Sequence, residues 1–107
     1  MGESADYLLL LSESDQLRVR IFTDRGPIPT AFVVQYEAWI SNDWRAVVRY
    51  DMAHGFVHRD VMRPDGTQRK EKIELSIRES IDYATEDISA NWLRYRRTYE
   101  AWLEGRE

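Results

Sequence analysis

The side chains able to do chemistry crowd into one short stretch, Arg49-Tyr50-Asp51-Met52-Ala53-His54-Gly55-Phe56-Val57-His58-Arg59-Asp60, which holds both histidines of the chain. A carboxylate beside an imidazole orients the ring and favours its charged form, moving the charge change across neutral pH. Arginine and lysine beside such a pair can hold a phosphate or a developing oxyanion. Two histidines so placed suffice for metal-independent phosphodiester cleavage, one taking the 2′-hydroxyl proton while the other protonates the leaving oxygen. On that reading His58 and Asp51 are the acid–base pair, His54 a second proton carrier and Arg49 the phosphate holder. Lys70, Lys72, Arg59, Asp60 and Gln35 complete the set as substrate-binding candidates.

Other chemistries fit less well. His54-x3-His58 spans a turn and not a helix face, so it lacks the geometry of the helical zinc motif, and the expectation is no metal and no cofactor. There is no Gly-rich phosphate loop, and Ser4, Ser12 and Ser14 have no nucleophile-elbow context. The competing bland reading is a salt-bridge ladder on a solvated sheet face.

The elements that must position these residues are legible from patterning. Leu17 to Phe22 alternates apolar and basic, as a half-buried strand does, and Asp24-Arg25-Gly26-Pro27-Ile28-Pro29 ends it with turn chemistry. Ala31 to Ile40 reads as a longer strand rich in β-branched and aromatic residues. For the hairpin that follows, a two-residue turn would set Tyr36 against Arg49 and mix polar with apolar on both faces. A three-residue loop, Ser41-Asn42-Asp43, pairs Ile40 with Trp44, Ala38 with Ala46, Tyr36 with Val48 and Val34 with Tyr50, so one face becomes apolar. That loop asks Asp43 to take the left-handed conformation. A turn at His54-Gly55 then pairs Met52 with Val57 and Val48 with Val61, and brings Asp51 to His58 and Arg49 to Asp60. Pro64-Asp65-Gly66 makes a further hairpin, setting Arg59 against Glu71 and Asp60 against Lys70.

Ser76-Ile77-Arg78-Glu79 fits a capping box. Beyond it Ile77, Ile81, Ala84, Ile88, Trp92, Tyr95, Tyr99 and Trp102 recur at helical spacing, and Gly105 supplies a stop. A helix of about 28 residues reaches ~42 Å, whereas a seven-residue strand covers only ~23 Å. The helix should therefore overhang the sheet, bend, or pack its Trp92–Trp102 end on something else, either a second subunit in a homodimer or the Tyr7–Leu11 arm. The fold class is α+β: residues 1–16 an N-terminal arm or first element carrying Tyr7 to Leu11, 17–75 an antiparallel meander of about five strands, 76–104 one long helix, all in a single domain.

Composition narrows the class. The chain has 107 residues, no cysteine, and a net charge of −4, which excludes disulfides and thiolate metal sites. No apolar run approaches the ~20 residues of a membrane helix, so a cytoplasmic protein is expected. Residues 1–43 carry three basic and seven acidic side chains, but residues 44–72 carry seven basic and four acidic. The local +3 allows RNA on one face without the basic footprint of a dedicated binder.

Val48-Arg49-Tyr50-Asp51, His54-Gly55 and His58-Arg59-Asp60 resemble the TumE family of small toxins from toxin–antitoxin pairs, loosely over residues 30–63. Asp60 stands where that pattern carries the second histidine of a His-x-His pair. The resemblance implies a toxin that acts on RNA, with a cognate antitoxin as partner. Against it stands a non-catalytic interaction module that self-associates through the aromatic helix.

Overall fold

The computed structural model describes residues 2–52 and 55–105. Six strands, β1 (Gly2–Ser12), β2 (Asp15–Thr23), β3 (Pro29–Ile40), β4 (Asp43–Asp51), β5 (His58–Met62) and β6 (Gln68–Lys72), precede one helix, α1 (Ile77–Leu103). The strands form one antiparallel sheet in chain order. The meander and its single helix are the α+β fold expected, with one strand more. What the sequence offers as an arm is β1, paired along its length with β2.

The hairpin between β3 and β4 departs from the expected register. Val34 pairs with Tyr50 and Tyr36 with Val48 as anticipated, but beyond them Ala38 meets Arg45 and Ile40 meets Asp43. Ser41 and Asn42, not Asp43, take positive φ, of 54° and 61°, the signature of a two-residue type I′ turn. A β-bulge at Val47 absorbs the extra residue between Tyr36–Val48 and Glu37–Ala46. The tight turn and the apolar face are therefore compatible, because a bulge changes the face assignment halfway along a strand. Trp39 and Trp44 meet as a result, their rings edge-to-face at 5.5 Å. The connection from β4 to β5 is also wider than a two-residue turn: the ladder ends at Asp51–His58, and the Gly55 N–H donates to the Met52 carbonyl at 3.1 Å.

Helix α1 starts where the capping box predicts. Glu79 N–H donates to Ser76 Oγ at 3.2 Å and Ser76 N–H to Glu79 Oε1 at 3.3 Å. It lies across β3 and β4 and buries Ala84, Ile88, Tyr95 and Tyr99 against Leu17, Val19, Val34, Tyr36, Val48 and Tyr50. Trp92 joins this core with its ring edge-on to Tyr36. The expected overhang is thus taken up by the chain itself, down to Trp102, whose ring lies under the Arg63 guanidinium at 5.3 Å.

Two polar latches fasten the helix. Asp15 accepts hydrogen bonds from Ser12 Oγ, Tyr36 Oη and Arg96 Nη1, the last at 2.7 Å. Arg96 also donates to the Ser14 and Trp39 carbonyls. Further along, Asp87 Oδ2 accepts from Tyr50 Oη at 2.6 Å and Tyr95 Oη at 2.7 Å, while Arg59 Nη1 donates to Tyr95 Oη at 3.0 Å. Burial first, then the Asp87 hydrogen bond, pushes the Tyr95 hydroxyl up to about 12, so it stays a donor. Removing one partner of such a buried ion pair costs about 3–5 kcal/mol, against about 0–1 for an exposed pair. Urea unfolding should therefore show Asp15→Ala losing about 3 kcal/mol or more, and Asp6→Ala, whose pairs with Arg18 and Arg20 are long and solvent-exposed, less than about 1.

Candidate functional site

Cross-strand partners share a face of a sheet, so the ladders set out the polar face row by row. One row runs Asp6, Arg20, Val33, Asp51, His58, Lys72 from β1 to β6, and the next runs Leu8, Arg18, Gln35, Arg49, Asp60, Lys70. Seven of the residues singled out from sequence, Gln35, Arg49, Asp51, His58, Asp60, Lys70 and Lys72, fall on these two rows. His54 lies outside the described residues. Arg59 does not belong with them: it pairs with Tyr50 and Glu71, on the helix side, where it holds Tyr95 and Glu71. The period of two puts Arg59 opposite to both its neighbours.

At the centre of the face, His58 is 0% exposed and Asp60 3%. His58 Nε2 lies 2.9 Å from Asp51 Oδ1 and 3.7 Å from Asp60 Oδ2. The Phe56 ring stands edge-to-face on the imidazole at 5.7 Å, and the Lys72 ammonium lies 5.3 Å over Phe56. Lys70 Nζ sits 3.2 Å from Asp60 Oδ1. The middle of this face is therefore a closed ion cluster and not a solvated ladder. Arg49 and Asp60 are opposed in register, but the cation that Asp60 holds is Lys70, and Arg49 turns instead to Gln35.

Beside the cluster an open groove of about 290 Å³ runs over Arg18, Arg20, Val33, Gln35, Glu37, Arg49 and Asp51. Asp51, with its side chain 15% exposed, forms the boundary: one side meets the groove and the other His58. Arg18 lies 3.4 Å from Glu37 and 3.8 Å from Asp6, which also lies 3.8 Å from Arg20. Gln35 Nε2 donates to Glu37 Oε2 at 2.6 Å, and Arg49 Nε donates to Gln35 Oε1 at 2.7 Å. Among the described residues, Arg49 has no carboxylate within ion-pair distance. Its remaining guanidinium donors face no fixed anion, which suits it to a phosphate.

Arg18 and Arg20 are residues that sequence reasoning passed over. Their signal was the apolar–basic alternation of Leu17 to Phe22. Placing them beside Arg49 needs the β2–β3 register, which the long 24–28 connection does not reveal.

Chemically, a sealed His58 cannot itself reach a substrate hydroxyl, whereas Asp51 can. Asp51, His58 and Asp60 each bring one ligand atom, all within 4.8 Å of one another, a donor set that suits a small divalent cation. Lys70 already supplies Asp60 with positive charge there.

A six-strand meander under one long helix, with a charged cluster on the uncovered face, defines a class of small α+β protein. The chain belongs to the family DUF7718, a domain of unknown function, which matches residues 1–105. No curated protein and no solved structure matches it. Among the described residues no helix is long and apolar enough to cross a membrane.

Because the imidazole fills a closed space between two carboxylates, His58→Ala should cost about 3 kcal/mol or more through a cavity and unpaired charge. Guanidinium chloride unfolding of that variant measures it. An effect below about 1 kcal/mol would show that the cluster contributes little to the fold.

Proposed function

We propose that the protein is an RNA-directed effector of the toxin type, acting in the cytoplasm and held in check by a protein antitoxin. What carries this reading is one observation: a carboxylate at the lip of an arginine-lined groove, backed by a buried histidine. Arg49, with Arg18 and Arg20, holds a backbone phosphate. Asp51 accepts the 2′-hydroxyl proton as that oxygen attacks phosphorus and the bond to the 5′-oxygen breaks. Solvent water in the open groove protonates the departing 5′-oxygen, and His58 holds the Asp51 carboxylate in position from inside the cluster. Lys70 and Lys72 extend the positive surface along the sheet towards β6. The likeness of the Arg-Tyr-Asp and His-Arg-Asp segments to TumE proteins supports the same reading.

The test is cleavage of single-stranded RNA by the purified chain, with growth arrest on induction as the cellular counterpart. Asp51→Asn, which keeps the size of the side chain, should lower the cleavage rate about 10²–10⁴-fold, the usual contribution of a general base, in a variant that circular dichroism shows to be folded at the assay temperature. Arg49→Ala should weaken RNA binding and lower its salt dependence by about one phosphate contact. Undiminished cleavage by Asp51→Asn would exclude the mechanism.

A second reading, a non-catalytic interaction module, is favoured by β1. This free edge strand exposes Tyr7, Leu8, Leu9 and Leu10, the last 78% exposed, and an uncovered apolar edge invites strand pairing. The helix has less to offer a second copy, since Trp92, Tyr95 and Tyr99 pack on their own sheet. If the chain self-associates through β1, light scattering should show Leu8→Lys/Leu10→Lys shifting a dimer to a monomer.

A further inference from the structure

On the helix side of the sheet, a cleft of about 290 Å³ opens between β5, β6 and the C-terminal half of α1. Arg59, Arg63, Arg69 and Arg94 line it with Tyr95 and Trp102, and Glu71 is the one acidic residue in its wall. Of the four guanidinium groups only that of Arg59 has carboxylates within ion-pair distance among the described residues, Glu71 at 3.1 Å and Asp87 at 3.7 Å, in a chain whose net charge is −4. Such a local excess is costly unless solvent or an anion screens it.

The pairing of these arginines sharpens the point. Arg59 is spoken for, donating to Tyr95 Oη at 3.0 Å and to Glu71 at 3.1 Å, although its Nε–H is buried with no acceptor among the described residues. Arg63 donates only weakly to Thr67 Oγ1, at 3.4 Å, and otherwise lies over Trp102. Arg94 lies over the Tyr95 ring at 4.8 Å. Among the described residues, neither Arg63, Arg69 nor Arg94 has a carboxylate within ion-pair distance. Arg69 and Arg94 are exposed, one from each wall, with their donors uncommitted. Arginines free of carboxylates take phosphate oxygens, often bidentately. An indole at the same cleft offers a base a stacking surface.

We infer that this cleft binds a nucleotide through its phosphate and base, with Arg69 and Arg94 on the phosphate and the Trp102 side on the base. Free nucleotide and a unit of single-stranded RNA present this same chemistry. The inference does not rest on the polar-face reading, since the two surfaces lie on opposite faces of the sheet.

Calorimetric titrations of the full chain with inorganic phosphate, a nucleoside monophosphate and a single-stranded RNA hexamer test it. Saturable binding of either nucleotide probe is expected, tighter than phosphate by about tenfold or more. Binding of the monophosphate assigns a free nucleotide; binding of the hexamer alone assigns a strand. Arg69→Ala/Arg94→Ala should weaken that binding at least about tenfold, and Trp102→Ala should narrow the preference over phosphate. The melting temperature of the double arginine variant should not change, because neither side chain holds the fold. Arg49→Ala must leave the monophosphate affinity intact, which separates this site from the polar groove. Phosphate binding as tightly as nucleotide, no saturation below millimolar concentration, or unchanged affinity in the double arginine variant would each overturn the assignment.

Discussion

Everything in this molecule depends on how one helix is fixed in position on the face of the sheet. Asp15 and Asp87 each place a carboxylate between strand and helix: Asp15 gathers the Tyr36 hydroxyl and Arg96, and Asp87 the Tyr50 and Tyr95 hydroxyls and Arg59. Burial raises the Tyr36 and Tyr50 hydroxyls far above their ordinary range, with the neighbouring aspartate adding to the effect, so both remain donors at any physiological pH. Apolar packing of Ile88, Val34 and Val48 gives affinity between the layers. The latches fix position along and across the sheet, which apolar contact specifies poorly.

Much of this architecture was legible in the sequence because it rests on short-range rules. The Ser76–Glu79 box, the spacing from Ile77 to Tyr99, and the charge complementarity of Arg59 with Glu71 and Asp60 with Lys70 all express local geometry. The β3–β4 hairpin was half legible: pairing near Tyr36 followed from face polarity, but a bulge at Val47 leaves no compositional mark. The latches were not legible, since Asp15 and Arg96 are far apart in the chain and each reads locally as a surface residue. For the site, alternation placed Arg49, Asp51, His58 and Asp60 together. It could not show that Phe56 folds over the imidazole and seals it, nor that Arg59 faces the helix.

The two edges of the sheet are unlike. β6 is Gln68-Arg69-Lys70-Glu71-Lys72, exposed throughout, with alternate cations turned to opposite faces. Lys70 and Lys72 border the polar cluster, while Arg69 borders the arginine cleft. Such charge on an edge discourages pairing with another strand. β1 carries leucines in place of lysines, and beyond Asp6 its exposed Tyr7–Leu10 stretch has no charge.

The order β1 to β6 also bears on how the chain folds. Each strand pairs only with its neighbours in sequence, so the sheet can grow hairpin by hairpin with little loop-closure entropy, as topologies rich in local contacts do. The bonds from Arg96 to Ser14 and Asp15, spanning 82 and 81 residues, close far larger loops and carry the greater closure entropy. During synthesis from the N-terminus, the sheet can therefore form with its Val34, Tyr36 and Val48 surface uncovered. That surface waits in water until the second half of the helix has left the ribosome, and in that interval the nascent chain is most exposed to chaperones and to its own neighbours.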